Sequence, residues 1–161
     1  MHTDDVDTPA LTSLRESDLK YEIIRTKPAP SAEESAVLQG IEIHQLLRTI
    51  VLRRAEADYL FVLVPGGRTI DWPKLRAHLG VSRLSLPDEQ EATAATGYER
   101  GAITPFGSTT SWPVIADGSI AANETVAIGG GARGVNLHIR AGDLISHVNA
   151  DIADVTKSAG A

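Results

Sequence analysis

The apolar residues of this chain fall in short runs, punctuated by Gly, Pro, Asn and Asp. Tyr59–Val64 (Y-L-F-V-L-V) has no polar interruption, the pattern of a strand in mid-sheet with both faces covered. Gln45–Arg54 before it predicts the partner strand, with Ala55–Asp58 as the hairpin turn. Tyr21–Arg25, Arg83–Leu86, Ala102–Phe106 and Trp112–Ala116 read as further strands, and Asp117-Gly118 as a tight turn. Thr125–Ile128 and Val135–Ile139 are expected to pair across a glycine cluster.

Helices announce themselves by their ends. Ser31 and Glu34 form a capping pair in which each satisfies the other's backbone donor, and Gly40 is a natural stop. Asp71 opens a helix through Leu79, ended by Gly80. Asp88, with Glu91, opens another that stops at Gly97. Leu14–Lys20 and Gly142–Val148 complete the helical set. Short strands mixed with helices, without regular βαβ alternation, predict an α+β fold: a mixed, partly closed barrel-like sheet with helices around it. Met1–Thr12 is polar and aperiodic and reads as a disordered tail. One domain over 13–156 and a frayed end at 157–161 complete the expected organisation.

Composition narrows the classes. At 161 residues one sizeable core is expected. No apolar run approaches the length that crosses a bilayer, and the acidic start has no positive n-region or apolar h-region. The cytoplasm is the default compartment, with no membrane partner. No cysteine is present, which excludes disulfides and thiolate chemistry. A net charge of −6 counts against gripping long nucleic acid, DNA included, through phosphate neutralisation. Any nucleic-acid contact is therefore expected at a small end, or through a local basic patch.

Two glycine-rich stretches carry the candidate chemistry. Gly97–Gly107 reads G-Y-E-R-G-A-I-T-P-F-G, three glycines and a proline among apolar anchors. Such a loop presents backbone amides and carbonyls rather than reactive side chains. Gly129–Gly134 satisfies G-x-G-x-x-G formally. The V-N-L-H-I that follows alternates at period two, so it is a strand and not the helix a dinucleotide fingerprint requires. The five histidines form no H-x-x-x-H or H-x-H pair, so no metal site is expected. No cofactor is implied. Ser108–Ser111 lacks the G-x-S-x-G elbow of serine hydrolases.

Thr96–Gly107 resembles the T-G-Y-x-x-G-G-x-S/T-P-x-G signature of the YbaK/EbsC family, the aminoacyl-tRNA editing domains related to the insertion domain of bacterial prolyl-tRNA synthetases. Leu47–Val51 (L-R-T-I-V) resembles the family's F-K-T-L-V strand, and Gly130–Leu144 its closing G-G-x-R-G…D-L. The resemblance implies a mixed, barrel-like sheet. It also implies hydrolysis of the ester between a mischarged amino acid and the terminal adenosine of tRNA, with a synthetase as a possible partner. Catalysis there is attributed to loop backbone groups, an ordered water and the substrate's 2′-hydroxyl.

Carried over by residue, Gly101 is the catalytic loop glycine, and Ala102, Ile103, Thr104 and Pro105 continue the substrate-binding loop. Arg48 stands where a lysine holds the terminal phosphate, with Thr49 beside it. Gly130 opens the second glycine turn, Gly129 precedes it where several relatives carry serine, and Asp143 matches the late aspartate. The intact G-x-x-T-P loop favours a deacylase. Arg48, Ala102 and the acidic charge favour a catalytically inactive domain that binds a nucleotide, a tRNA end or a protein.

Overall fold

In the computed structural model, which describes residues 7–160, the apolar run forms the central strand and serves two cores. Strand β3 (Asp58–Pro65) sends Phe61 and Leu63 into one core and Leu60, Val62 and Val64 into the other. All five side chains are buried, as an uninterrupted apolar run requires. β2 (Leu47–Ala55) pairs antiparallel with β3, and the hairpin register slips between Arg53 and Ala55. β2 begins two residues later than expected, because Ile43–Gln45 is a 3₁₀ turn in which Gln45 caps the Glu42 amide.

On its other side β3 pairs in parallel with β5 (Val114–Asp117), which pairs in parallel with β8 (Asp151–Ala153). A second sheet takes the order β1 (Glu22–Arg25), β7 (Val135–Arg140), β6 (Thr125–Gly129), all antiparallel. One parallel bridge, Leu46 to Ala127, joins the edges of the two sheets. The result is a mixed, partly closed arrangement. Its helices are α1 (Pro9–Arg15), α2 (Ala32–Gln39), α3 (Trp72–Leu79), α4 (Glu89–Thr96) and α5 (Ala141–His147).

The N-caps form at the expected residues, but among the described residues the return bond from Glu34 to the Ser31 amide does not. Ser31 Oγ, Asp71 Oδ1 and Asp88 Oδ1 accept from the amides of Glu34, Lys74 and Glu91 at 3.1, 3.2 and 2.8 Å. Each satisfies one orphan donor of a first turn.

Five expectations change. Met1–Val6 of the expected disordered tail lies outside the described residues, but Thr8 caps α1, and Ala10, Leu11 and Leu14 are buried. The helix expected from Leu14 therefore ends at Arg15. Thr8 looks polar in sequence, yet its hydroxyl donates to the Gly130 carbonyl at 2.6 Å and accepts the Leu11 amide. At the other end, the expected frayed tail forms β9 (Thr156–Ser158), antiparallel to β4 (Arg68–Ile70).

Arg83–Leu86 contributes only the bridge between Ser85 and Arg53. Ala102–Phe106 is loop, not strand. Its Phe106 carbonyl accepts the Tyr98 hydroxyl at 2.6 Å, so the segment is tied to its own loop instead of a ladder. Among the described residues no helix is long and apolar enough to cross a membrane.

Candidate active site: two clefts meeting at a glycine loop

Beyond the Leu46–Ala127 bridge, β2 and β6 share no further ladder pairs. Arg100, Gly101 and Ile103 of the glycine loop line a cleft with β2 and with Gly129 at the end of β6. α4 delivers the loop: Gly97 ends the helix at φ +83°, and the chain turns at once. Tyr98 then plunges into the core, and its hydroxyl holds the far end of the loop through Phe106. Burial pushes the Tyr98 hydroxyl up to about 12.

Gly101 has φ +87°, a conformation closed to most side chains. A Cβ there would lie 3.1–3.3 Å from the Arg133 guanidinium, whose Nη2 donates to the Arg100 carbonyl at 3.2 Å. The Ala102 amide closes a turn onto the Glu99 carbonyl at 2.9 Å. The Gly101 and Ile103 amides have no protein acceptor among the described residues. Among the loop amides without an acceptor, these two belong to residues that line both adjoining clefts.

Two clefts meet here. The wider, of about 750 Å³, runs along β2 past Arg48 and Thr49 to Arg100, with Leu86–Glu89 and Ala92 opposite. The narrower, of about 310 Å³, lies under Ala102, Ala132 and Arg133, with Thr26, Ser35 and Asn136 supplying polar wall. Gly101, Ile103 and Gly129 line both.

Five of the ten residues expected at the site thus line the wider cleft: Arg48, Thr49, Gly101, Ile103 and Gly129. Ala102 belongs to the narrower one. The remaining four lie elsewhere. Thr104 is fully buried, and Pro105 faces a separate groove with Phe106 and His147. Gly130 is packed against Val135, with its amide donating to the Val135 carbonyl at 2.8 Å. Asp143, in the first turn of α5, lines a fourth groove with Lys20 and Arg140. The hydroxyls of Thr49 and Thr104 are buried without a protein partner.

Arg48 is exposed, and its Nη2 donates to the Arg68 carbonyl at 2.9 Å. Arg68 is itself fixed, donating to the Thr156 hydroxyl and carbonyl at 2.6 and 3.2 Å. It also lies 3.9 Å from the carboxylate of buried Asp117. Neither Arg48 nor Arg100 forms an ion pair among the described residues, so both charges are available to an anion. Arg100 and Arg133 were passed over in the sequence, although both sit inside the quoted motifs. Their signal was position: each is one residue from a glycine that turns the chain at positive φ.

Residues 26–146 match the family model for the aminoacyl-tRNA editing domain. The chain is 24% identical over 137 residues to EbsC of Enterococcus faecalis, a protein named for Cys-tRNA(Pro)/Cys-tRNA(Cys) deacylation, covering 85% of this chain and 84% of that one. It is 27% identical over 115 residues to the proline–tRNA ligase of Thermosipho melanesiensis, covering 71% of this chain but only 20% of the ligase. A crystal structure named for trans-editing with prolyl tRNA synthetase superposes with TM-score 0.79 at 23% identity, over 86% of this chain and 87% of that one. The structure of the protein APE2540 superposes with TM-score 0.78 at 22% identity, over 86% of this chain and 92% of that one. The structural likenesses show a shared fold, and the sequence match adds the lineage: this chain belongs to the aminoacyl-tRNA editing domain family.

Proposed function

We propose that the chain is a trans-acting aminoacyl-tRNA deacylase of the cytoplasm that hydrolyses the ester of a mischarged amino acid at the tRNA acceptor end. The observation that carries this reading is Gly101, held at positive φ where two clefts meet, with the unpaired amides of Gly101 and Ile103 beside it. The wider cleft takes the terminal adenosine, with Arg48 and Arg100 offered to its phosphate. The narrower cleft takes the aminoacyl side chain. The scissile carbonyl then lies at the loop.

Water attacks the ester carbon as a new C–O bond forms. The carbonyl oxygen becomes an oxyanion facing the loop amides, and the bond to the ribose oxygen breaks. The attacking water's proton ends on that ribose oxygen, relayed by the neighbouring ribose hydroxyl. Amides fixed in place before the reaction stabilise the developing charge by about 2.7–4 kcal/mol per donor, without any titrating side chain. The acidic net charge fits contact confined to the acceptor end, and a synthetase partner would supply further tRNA affinity.

The test is a panel of mischarged tRNAs, with release of labelled amino acid as readout. At least one ester is hydrolysed by the parent protein and spared by a folded Gly101→Val variant. If none is hydrolysed while an acceptor-end minihelix still binds, the chain is a binding domain on the editing fold.

A further inference from the structure

Gly129 is a glycine without a reason in the fold. The other glycines of its hairpin have one. A Cβ on Gly130 would meet Val135 Cγ1 at 2.7 Å, and one on Gly134 the Thr26 carbonyl at 2.4 Å. Gly131 and Gly134 also have positive φ. Gly129 has neither constraint. It closes strand β6 opposite Asn136 with no positive φ, and a Cβ there would find only the Ile103 carbonyl, at 4.0 Å.

A glycine inside a strand weakens it, through backbone entropy and the lack of a packing side chain. Where the geometry would accept alanine, that loss has no structural return. The return lies in space, because Gly129, Gly101 and Ile103 are the residues common to both clefts. The empty direction at Gly129 points at the Ile103 carbonyl, across the seam where the clefts join.

We infer that Gly129 is a specificity-determining residue whose missing side chain keeps the passage between the clefts open, so that aminoacyl groups with long side chains reach the narrower cleft. This rests on the deacylase reading for the identity of the ligand. The cleft beyond the passage is lined by apolar Ala102, Ala132 and Val135 and by polar Thr26, Ser35, Asn136 and Arg133. It therefore suits an unbranched side chain carrying a heteroatom. Any side chain at residue 129 fills the seam, and each added methyl group excludes longer substrates further.

The experiment uses adenosine carrying alanyl or methionyl groups through a non-hydrolysable 3′-amide, with affinity measured by calorimetry on the full chain. Parallel deacylation of alanyl- and methionyl-tRNA gives a second readout. The parent binds the methionyl analogue at least as tightly as the alanyl one. In Gly129→Ala the methionyl-to-alanyl affinity ratio falls, and in Gly129→Val it falls at least ten-fold, about the discrimination expected from one or two methylenes in a pocket. Gly129→Ala melts at or above the parent temperature, since alanine fits the backbone and narrows the unfolded ensemble.

An unchanged ratio in a folded Gly129→Val protein overturns the inference. So does a Gly129→Ala protein that melts well below the parent, because the glycine would then serve the fold. So does a parent that binds neither analogue. Size-dependent binding without hydrolysis of any ester in the mischarged-tRNA panel leaves the passage in place and removes the deacylase reading instead.

Discussion

The Arg133 guanidinium and Gly101 Cα are so close that a single methyl group on Gly101 would approach the guanidinium to 3.1–3.3 Å. The second glycine hairpin thus braces the first glycine loop, and the hydrogen bond from Arg133 to the Arg100 carbonyl fixes the spacing. Two motifs far apart in sequence form one unit.

Gly101→Val combines a strained φ with collision against Arg133. Deacylation should fall at least a hundred-fold, the scale of losing one positioned oxyanion donor. Far-ultraviolet circular dichroism should stay native, because Gly101 is exposed. Full activity in the folded variant would remove the loop from the mechanism.

Because Arg133 touches the loop backbone at Arg100, its removal should lower kcat more than it raises KM. Arg133→Ala loses the contact to the Arg100 carbonyl, and Arg133→Lys restores the charge without the planar fork. A lysine variant as impaired as alanine would locate the effect in geometry. Recovery by lysine would locate it in charge.

Arg48 offers the converse comparison. A charge-assisted contact to phosphate contributes about 1.5–3 kcal/mol, so Arg48→Ala should lose about ten- to a hundred-fold in kcat/KM. Lysine should keep much of it, because phosphate needs only a positive point charge. The deficit of the alanine variant should shrink at high salt. Alanine matching the parent at both salts would sink the phosphate role.

Tyr98→Phe leaves the Phe106 carbonyl without its buried donor. The expected loss is about 1–3 kcal/mol of stability, read from urea unfolding. The parent has a related pH signature. The folded state holds the Tyr98 proton to about pH 12, while the unfolded chain releases it near the ordinary tyrosine value of 10.0. That stability is fully present below pH 10 and is lost as pH rises towards 12. Tyr98→Phe should flatten this part of the alkaline unfolding profile.

Asp117 contributes on the acid side. Burial pushes its carboxyl up. Hydrogen bonds from the Ser119 hydroxyl, the Val155 and Ser119 amides and Thr156 outweigh that and hold it below the usual carboxylate range. The folded form therefore binds its proton less readily than the unfolded chain. Its contribution is complete above the ordinary carboxylate range and disappears as pH falls through the lowered value. Asp117→Asn should destabilise at neutral pH and lessen the acid dependence of unfolding.

The sequence was most legible where periodicity and caps coincide. β3 and the ends of α2, α3 and α4 follow from the Tyr59–Val64 run and from Ser31, Asp71 and Asp88. It was least legible where short polar-looking segments find distant partners. Thr8 is buried because it reaches Gly130, and Thr156 because β9 pairs with β4. Neither partnership leaves a local trace. Of the residues picked out by motif matching, Gly101, Arg48 and Gly129 line one cleft, but Asp143 lines another groove and Gly130 packs into its own turn. The bracing role of Arg133 needed the two motifs to be brought together in space.

Helix α1 lies before the family-matched segment, yet it floors both glycine turns. Thr8 bonds the Gly130 carbonyl, and the Pro9 carbonyl would be 2.4 Å from a Cβ on Gly107. β9, after that segment, pairs with β4, where Arg68 holds Arg48. A cassette trimmed to residues 26 and 146 would keep the signature residues while discarding the supports that aim them. Grafting this loop geometry onto another scaffold therefore means carrying over both flanks along with the motifs.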